Sequence, residues 1–217
     1  MNAMSSINTP QNGLLLVISG PSGSGKSTVA RNLCDEHPHT VLSRSATTRT
    51  PREGEGPSHY DFVSREEFLR RVSIGKMLEY VQYNGEYYGT SADEVENLIS
   101  RGHNAILEID THGGLQVRKR YPDSVLVFLS PPSFSELAFR LRGRGTESEE
   151  QIAKRLAIAE SELNTAQEYD YFVVNHYIDE SVRVLRAIIE AEGHRVRALN
   201  QTIVWLKEDV ARSKDSV

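Results

Sequence analysis

Leu14-Leu15-Leu16-Val17-Ile18-Ser19-Gly20-Pro21-Ser22-Gly23-Ser24-Gly25-Lys26-Ser27-Thr28 is the stretch from which the rest of the sequence is read. An apolar run of strand length, Leu14–Ile18, leads into the pattern G-x-x-x-x-G-K-[ST], and a helical pattern over Thr28–Glu36 leads out. Glycines at these points let successive backbone N–H groups turn inward around an anion, and the helix N-terminus adds its positive end. Lys26 then reaches the β- and γ-phosphates, and the Ser27 hydroxyl is placed to ligate Mg2+. A plain Gly/Ser-rich turn would explain the glycines but not Lys26-Ser27 at that point. The expectation is a nucleoside triphosphate site formed by Gly20, Pro21, Ser22, Gly23, Ser24, Gly25, Lys26, Ser27 and Thr28.

Outward from this loop the pattern repeats. Ala105–Ile109, Val125–Leu129 and Tyr171–Val174 are short, nearly continuous apolar runs rich in branched residues, as parallel strands covered on both faces require. Helical patterns over Gly114–Arg120, Ser133–Arg140 and Glu149–Glu168 lie between them, with Ser133 and Ser148 as helix caps. The alternation predicts an α/β fold with a parallel sheet flanked by helices. Val41–Ser91 breaks the rhythm. It holds short aromatic and β-branched pieces (Val41–Ala46, Tyr60–Val63, Met77–Tyr83, Glu86–Tyr88) and one helix, Ser64–Ser73, where Ser64 and Glu67 predict a capping box. An inserted, mixed α+β subdomain is expected there.

The bulk properties set bounds. The 217 residues suit one globular unit, and the formal net charge of -5 argues against a dedicated nucleic-acid binder. Cys34 is the single cysteine, which excludes an intrachain disulfide and points to a reducing, cytoplasmic setting. No run approaches the roughly 20 apolar residues that span a bilayer. Polar residues from Met1 to Gly13 read as a flexible lead-in. Beyond residue 192, Val196, Leu199, Ile203, Leu206 and Val210 form one apolar helical seam, suited either to packing on its own domain or to self-pairing.

The acceptor site has to come from the insertion. Arg49 and Arg52 flank Pro51 in an extended or turning segment, so both guanidinium groups can converge on one anion, and Tyr60 and Tyr88 can add phenolic donors. Two isolated arginines would equally suit a solvated basic loop. Glu79 has a sharper chemistry. Guanine presents N1–H and its exocyclic amine side by side, and one carboxylate accepts from both; adenine would leave that buried carboxylate facing a lone pair. Ser45 and Thr90 hydroxyls can donate to guanine O6 or N7.

Several stretches carry a resemblance: Ser45-Ala46-Thr47-Thr48-Arg49-Thr50-Pro51-Arg52, Phe62-Val63-Ser64-Arg65-Glu66-Glu67-Phe68, Gly75-Lys76-Met77-Leu78-Glu79, Tyr87-Tyr88-Gly89-Thr90, Leu107-Glu108-Ile109-Asp110 and Arg142-Gly143-Arg144-Gly145-Thr146. With the phosphate loop, they make the chain resemble the guanylate kinase family of P-loop nucleoside monophosphate kinases from Leu14 to about Glu192. The resemblance implies transfer of a phosphoryl group from ATP to GMP with Mg2+. It implies a core at 14–40 and 92–192, a GMP-binding subdomain at about 41–91, a helical lid at about 140–160, and a C-terminal helical extension over 193–217. It implies that Arg49, Arg52, Tyr60 and Tyr88 hold the GMP phosphate and that Ser45, Glu79 and Thr90 read the guanine edge. Lys26, Arg49, Asp110, Arg140, Arg144 and Arg155 are the implied catalytic set, the last three being the lid's or its helix's phosphate-facing arginines. Asp110, at the end of a strand, is left between the magnesium water shell and the guanine; Glu108 is left between the same face and a packed acid. Arg142 reads as solvent-exposed.

Three departures from the family pattern stand out. The loop from Gly54 to Tyr60 is one residue short, which puts the reach of Tyr60 in question, and His112 and His176 replace a usual glutamine and aspartate. The rival readings are a kinase of another nucleotide or phosphorylated metabolite, opposed by Ser45, Glu79 and Thr90, and a non-catalytic scaffold, which would be free to lose Lys26, Arg49 and Asp110. ATP and GMP are the expected partners, with no nucleic acid and no membrane, in a monomer or homodimer.

Overall fold

Strand β1, Leu15–Ser19, is buried over its whole length, and its side chains alternate between two cores. Leu16 and Ile18 enter a cluster with Val29, Leu33, Val182 and Leu185, while Leu15 and Val17 enter one with Val95, Ile99 and Val117. A strand that must feed two apolar faces has no polar face, which is why its sequence does not alternate. The computed structural model describes residues 13–143, 148–195, 203–204 and 206–208. Arg144, most of the lead-in, and the C-terminal seam apart from Ile203 and Leu206 lie outside them.

The core sheet has five parallel strands: β1, β2 (Thr40–Leu42), β7 (Asn104–Glu108), β8 (Val125–Ser130) and β9 (Tyr171–Val174), in the order β2-β7-β1-β8-β9. Helices α1 (Lys26–Glu36) and α7 (Ile178–Gly193) line one core; α3 (Ala92–Ser100) and α4 (Thr111–Arg120) line the other. Neither α3 nor α7 was anticipated from the sequence. The expected apolar piece Val41–Ala46 is two strands in two sheets: Thr40–Leu42 pairs with β7, and β3 (Ser45–Thr47) belongs to the insertion. The insertion therefore begins near residue 43 rather than 41, because the β2–β7 ladder holds the chain in the core until Leu42.

The inserted sheet has the order β4-β3-β6-β5, with β4 at Asp61–Phe62, β5 at Met77–Tyr83 and β6 at Glu86–Ser91. Its small core is Ala46, Phe68 and Met77, with Phe68 supplied by α2 (Arg65–Ser73). Ser64 caps α2 by accepting from the Glu67 N–H, but the expected capping box is half formed: the Glu67 carboxylate pairs with Arg70 and Arg71 instead. Ser148, by contrast, makes a full capping box with Gln151 on α6 (Glu149–Asn164). With α5 (Phe134–Gly143), α6 forms a helical pair sharing Leu137, Leu141, Ile152 and Ala159. A short 3-10 helix at Thr165–Glu168 completes what read as one longer helix.

Candidate active site

β1 ends at Ser19, and the chain turns through Gly20–Gly25 into α1. Gly20 (φ +140°) has no room for a side chain, since a Cβ there would lie 2.2 Å from the Leu129 carbonyl oxygen of β8. Lys26 folds its ammonium back over the loop, donating to the carbonyls of Gly20 at 2.6 Å and Pro21 at 3.0 Å. Ser27 Oγ donates to Glu108 Oε1 at 2.5 Å, so the acid left open by the sequence sits against the expected metal-ligating hydroxyl. Glu162 of α6 also faces this corner; burial raises its pKa, opposed by the charge of Lys26. A glycine-rich turn at a helix N-terminus, a lysine and a hydroxyl–carboxylate pair form an arrangement able to cradle a polyphosphate.

Asp110 is not at a strand end. It lies two residues beyond β7 and caps α4, its carboxylate accepting from the Gly113 N–H at 2.7 Å. That cap puts the first turn of α4, with the side-chain-free Gly113, against the insertion: a Cβ on Gly113 would lie 3.2 Å from Glu79 Oε2.

Glu79 is 4% exposed and Thr90 1% exposed, and Thr90 Oγ1 donates to Glu79 Oε1 at 2.7 Å. A register irregularity between Met77 and Glu79 lets Met77, Leu78 and Glu79 all be buried, where strict alternation would send one of them outward. Across the ladder, Gly89 is indispensable, since a Cβ would lie 2.5 Å from the Glu79 carbonyl oxygen. Ser45 pairs with Thr90 in the β3–β6 ladder, so the three residues expected to read a base share one end of the sheet. Burial pushes the Glu79 carboxyl up to about 7; the Thr90 hydrogen bond opposes this and the charge of Asp110 adds to it.

The expected phosphate clamp is assembled around an internal anion. Arg49 forms a two-pronged pair with Glu55, at 2.7 and 3.0 Å, and the Arg52 backbone N–H donates to the same carboxylate at 2.8 Å. The arginine lies over the rings of Tyr60 (5.4 Å) and Phe62 (5.8 Å), and the Tyr60 and Tyr88 rings are 6.3 Å apart. The shortened loop thus still brings Tyr60 to Arg49. Hydrogen bonding from Arg49, then from the Arg52 amide, holds the Glu55 carboxyl down at about 2, and Glu55 in turn raises Arg49. Arg52's side chain is on the exposed side of the loop. Glu55 was read from the sequence only as loop spacing.

On the opposite side, Arg155 of α6 donates to Ser22 Oγ at 2.7 Å, which brings α6 onto the phosphate loop across 133 positions of sequence. Arg140 donates to Glu136 and to the Asn175 carbonyl, and Arg142 makes an exposed pair with Glu149. Arg144 lies outside the described residues.

Comparison with known proteins decides the family. The guanylate kinase family model matches residues 12–192. The chain belongs to the guanylate kinase family. Guanylate kinase from Desulfitobacterium hafniense is 48% identical over 186 residues, covering 85% of this chain and 93% of that one. The Clostridium perfringens guanylate kinase is 41% identical over 207 residues, 95% and 96% of the two chains. The crystal structure of guanylate kinase from Anaplasma phagocytophilum superposes with a TM-score of 0.68 at 33% identity, covering 86% of this chain and 89% of that one. A P-loop kinase fold is thereby assigned to the chain.

Proposed function

We propose that the chain transfers the γ-phosphoryl group of ATP to GMP, giving ADP and GDP, by direct in-line displacement. The observation that carries the reading is the buried Glu79–Thr90 pair at the junction of the two sheets. A carboxylate kept from water and already accepting one hydroxyl proton has lone pairs left for two parallel donors, which guanine supplies and adenine does not. Arg49, with Tyr60 and Tyr88 beside it, would take the GMP phosphate in place of Glu55. Ser45 would donate to guanine O6 or N7, and Asp110 would hold the first turn of α4 against the base. Thr90, whose one hydroxyl proton goes to Glu79, would hold that carboxylate in place rather than donate to the base.

The donor half follows from the loop. Lys26 would exchange the carbonyls of Gly20 and Pro21 for β- and γ-phosphate oxygens. Arg155 and Arg140, joined by Arg144, would neutralise charge on the transferring group, and this positioning is where most of the rate comes from. An attacking GMP phosphate oxygen is ionised near neutral pH, so no general base is required. The Ser27 hydroxyl beside the Glu108 carboxylate offers the hard oxygen donors that Mg2+ takes. Mg2+ held there would supply charge neutralisation to the transferring phosphate.

The reading includes a cytoplasmic setting, supported by the lone Cys34 and the small-molecule substrates; among the described residues no helix is long and apolar enough to cross a membrane. ADP formation from MgATP, offering GMP, dGMP, AMP, CMP and UMP separately to wild type and Glu79→Ala, tests it. Turnover confined to guanine acceptors and lost in the variant is expected. Equal turnover on AMP would overturn the guanine assignment.

A further inference from the structure

Asn175 follows β9 and is 1% exposed, yet all of its polar groups are engaged, each with a different part of the donor side. Its Nδ2 donates to the Ser24 carbonyl in the phosphate loop at 2.7 Å. Its Oδ1 accepts from Ser181 Oγ of α7 at 2.9 Å, which fixes the amide with its NH2 toward the loop. Its backbone N–H donates to the Ser130 carbonyl at the end of β8, and its carbonyl accepts from Arg140 Nη2 at 3.3 Å. The fit against the loop is close: a Cβ on Gly25 would lie 2.4 Å from Asn175 Nδ2.

From this geometry we infer that Asn175 is a positioning residue for the phosphate loop, setting the peptide plane between Ser24 and Gly25 and tying it to Arg140. The inference rests on reading Gly20–Ser27 as the ATP-phosphate site. A trans peptide is planar, so its C=O and N–H point in opposite directions. Drawing the Ser24 carbonyl onto Asn175 turns the Gly25 N–H away from Asn175. Gly25 sits at φ +96°, where backbone rotation meets little steric resistance, so an external hold on this plane matters more than elsewhere. Ser24 has little other polar anchorage: its N–H reaches the Pro21 carbonyl within the loop, and its Oγ is buried with no hydrogen-bond partner. Because one residue holds the loop through its side chain and an α5 arginine through its carbonyl, the donor cradle and the base of the lid keep a common reference.

Asn175→Asp keeps size and shape but sets a carboxylate oxygen against the Ser24 carbonyl. The measurements are the Kd for MgATP by calorimetry, KM for each substrate, kcat, and Tm. The expected result is a Kd and KM for ATP raised tenfold or more, with KM for GMP within twofold of wild type, the range that loss of one buried hydrogen bond allows. Ser181→Ala, which releases the amide without changing Asn175, is expected to raise the ATP values about threefold with KM for GMP unchanged and Tm lowered by a few degrees, and it decides the matter if Asn175→Asp does not fold. Unaltered ATP affinity in both variants would overturn the inference. So would parallel losses of ATP and GMP affinity tracking a lowered Tm, the mark of a structural role alone. Failure of wild type to phosphorylate GMP would sink the proposed activity instead, while calorimetric ATP binding still tests Asn175.

Discussion

Replacing Glu79 by glutamine should make the protein more stable at alkaline pH while destroying its recognition of GMP. Glu79 is buried, and its carboxyl is pushed from 4.5 up to about 7, a difference that corresponds to about 3 kcal/mol. The sign follows from proton binding. A carboxyl whose folded pKa lies above its unfolded value holds its proton in the folded protein after the unfolded chain has released it. Its contribution to stability is therefore complete below about 4.5 and is lost as pH rises through about 7. Glutamine has no proton to lose in this window and can still accept from Thr90 Oγ1 through its amide oxygen. Urea unfolding of wild type and Glu79→Gln at pH 5 and pH 8.5 isolates the effect, because every other group titrates alike in both. The variant's stability relative to wild type should rise by most of about 3 kcal/mol between the two pH values, or roughly 6 to 12 °C in Tm for a chain of this length. In the same window the wild-type KM for GMP should increase as pH falls below 7, since a protonated carboxyl cannot accept from both guanine donors. A stability difference that is the same at both pH values would refute the reasoning, because Glu79 would then not be paying ionisation against burial.

Three other outcomes are expected. Glu55→Gln should lower KM for GMP by up to about fivefold, because the carboxylate that occupies Arg49 is gone; steady-state kinetics with GMP varied would show it, and a raised KM would mean that Glu55 orients Arg49 rather than competing for it. Arg155→Ala should reduce kcat by about a hundredfold or more while leaving Tm nearly unchanged, read from initial rates at saturating substrates. Gly89→Ala forces a methyl group to within 2.5 Å of the Glu79 carbonyl oxygen and should cost about 1–3 kcal/mol in a denaturant titration, with a disproportionate loss of GMP affinity.

What could be read from the sequence was what the chain settles locally. The strand, glycine loop and helix from Leu14 to Glu36 are contiguous, and each carries its own signal: a buried apolar run, the spacing of Gly20, Gly25 and Lys26, and a helix start. Glu79 could be singled out in the sequence from the chemistry that guanine would demand, but what buries it could not: that depends on the irregularity after Met77 and on Gly113 across the junction. The position of the domain boundary was not legible, since Thr40–Leu42 joins the core through pairing with Asn104–Ile106, more than sixty residues away. Helix α7 does carry a signal, with Ile178, Val182, Leu185 and Ile189 on one face. Asn175 had none: its partner Ser24 is 151 positions distant, and an asparagine after a strand looks like any turn residue.

The way α5 and α6 are fastened sets where this molecule should breathe. A Cβ on Gly23 would touch Leu137 at 3.0 Å and Leu141 at 3.2 Å, so α5 lies directly on the phosphate loop, whereas α6 buries little beyond Ile152 and Ala159. Amide hydrogen exchange should separate the two. Amides in the middle of α5 should exchange nearly as slowly as those of β1, through openings close to global unfolding, and amides of α6 should exchange through cheaper local openings. ATP would then slow exchange chiefly in α6, and the ratio of the two rates becomes a solution measure of how much of the lid's order is borrowed from the nucleotide.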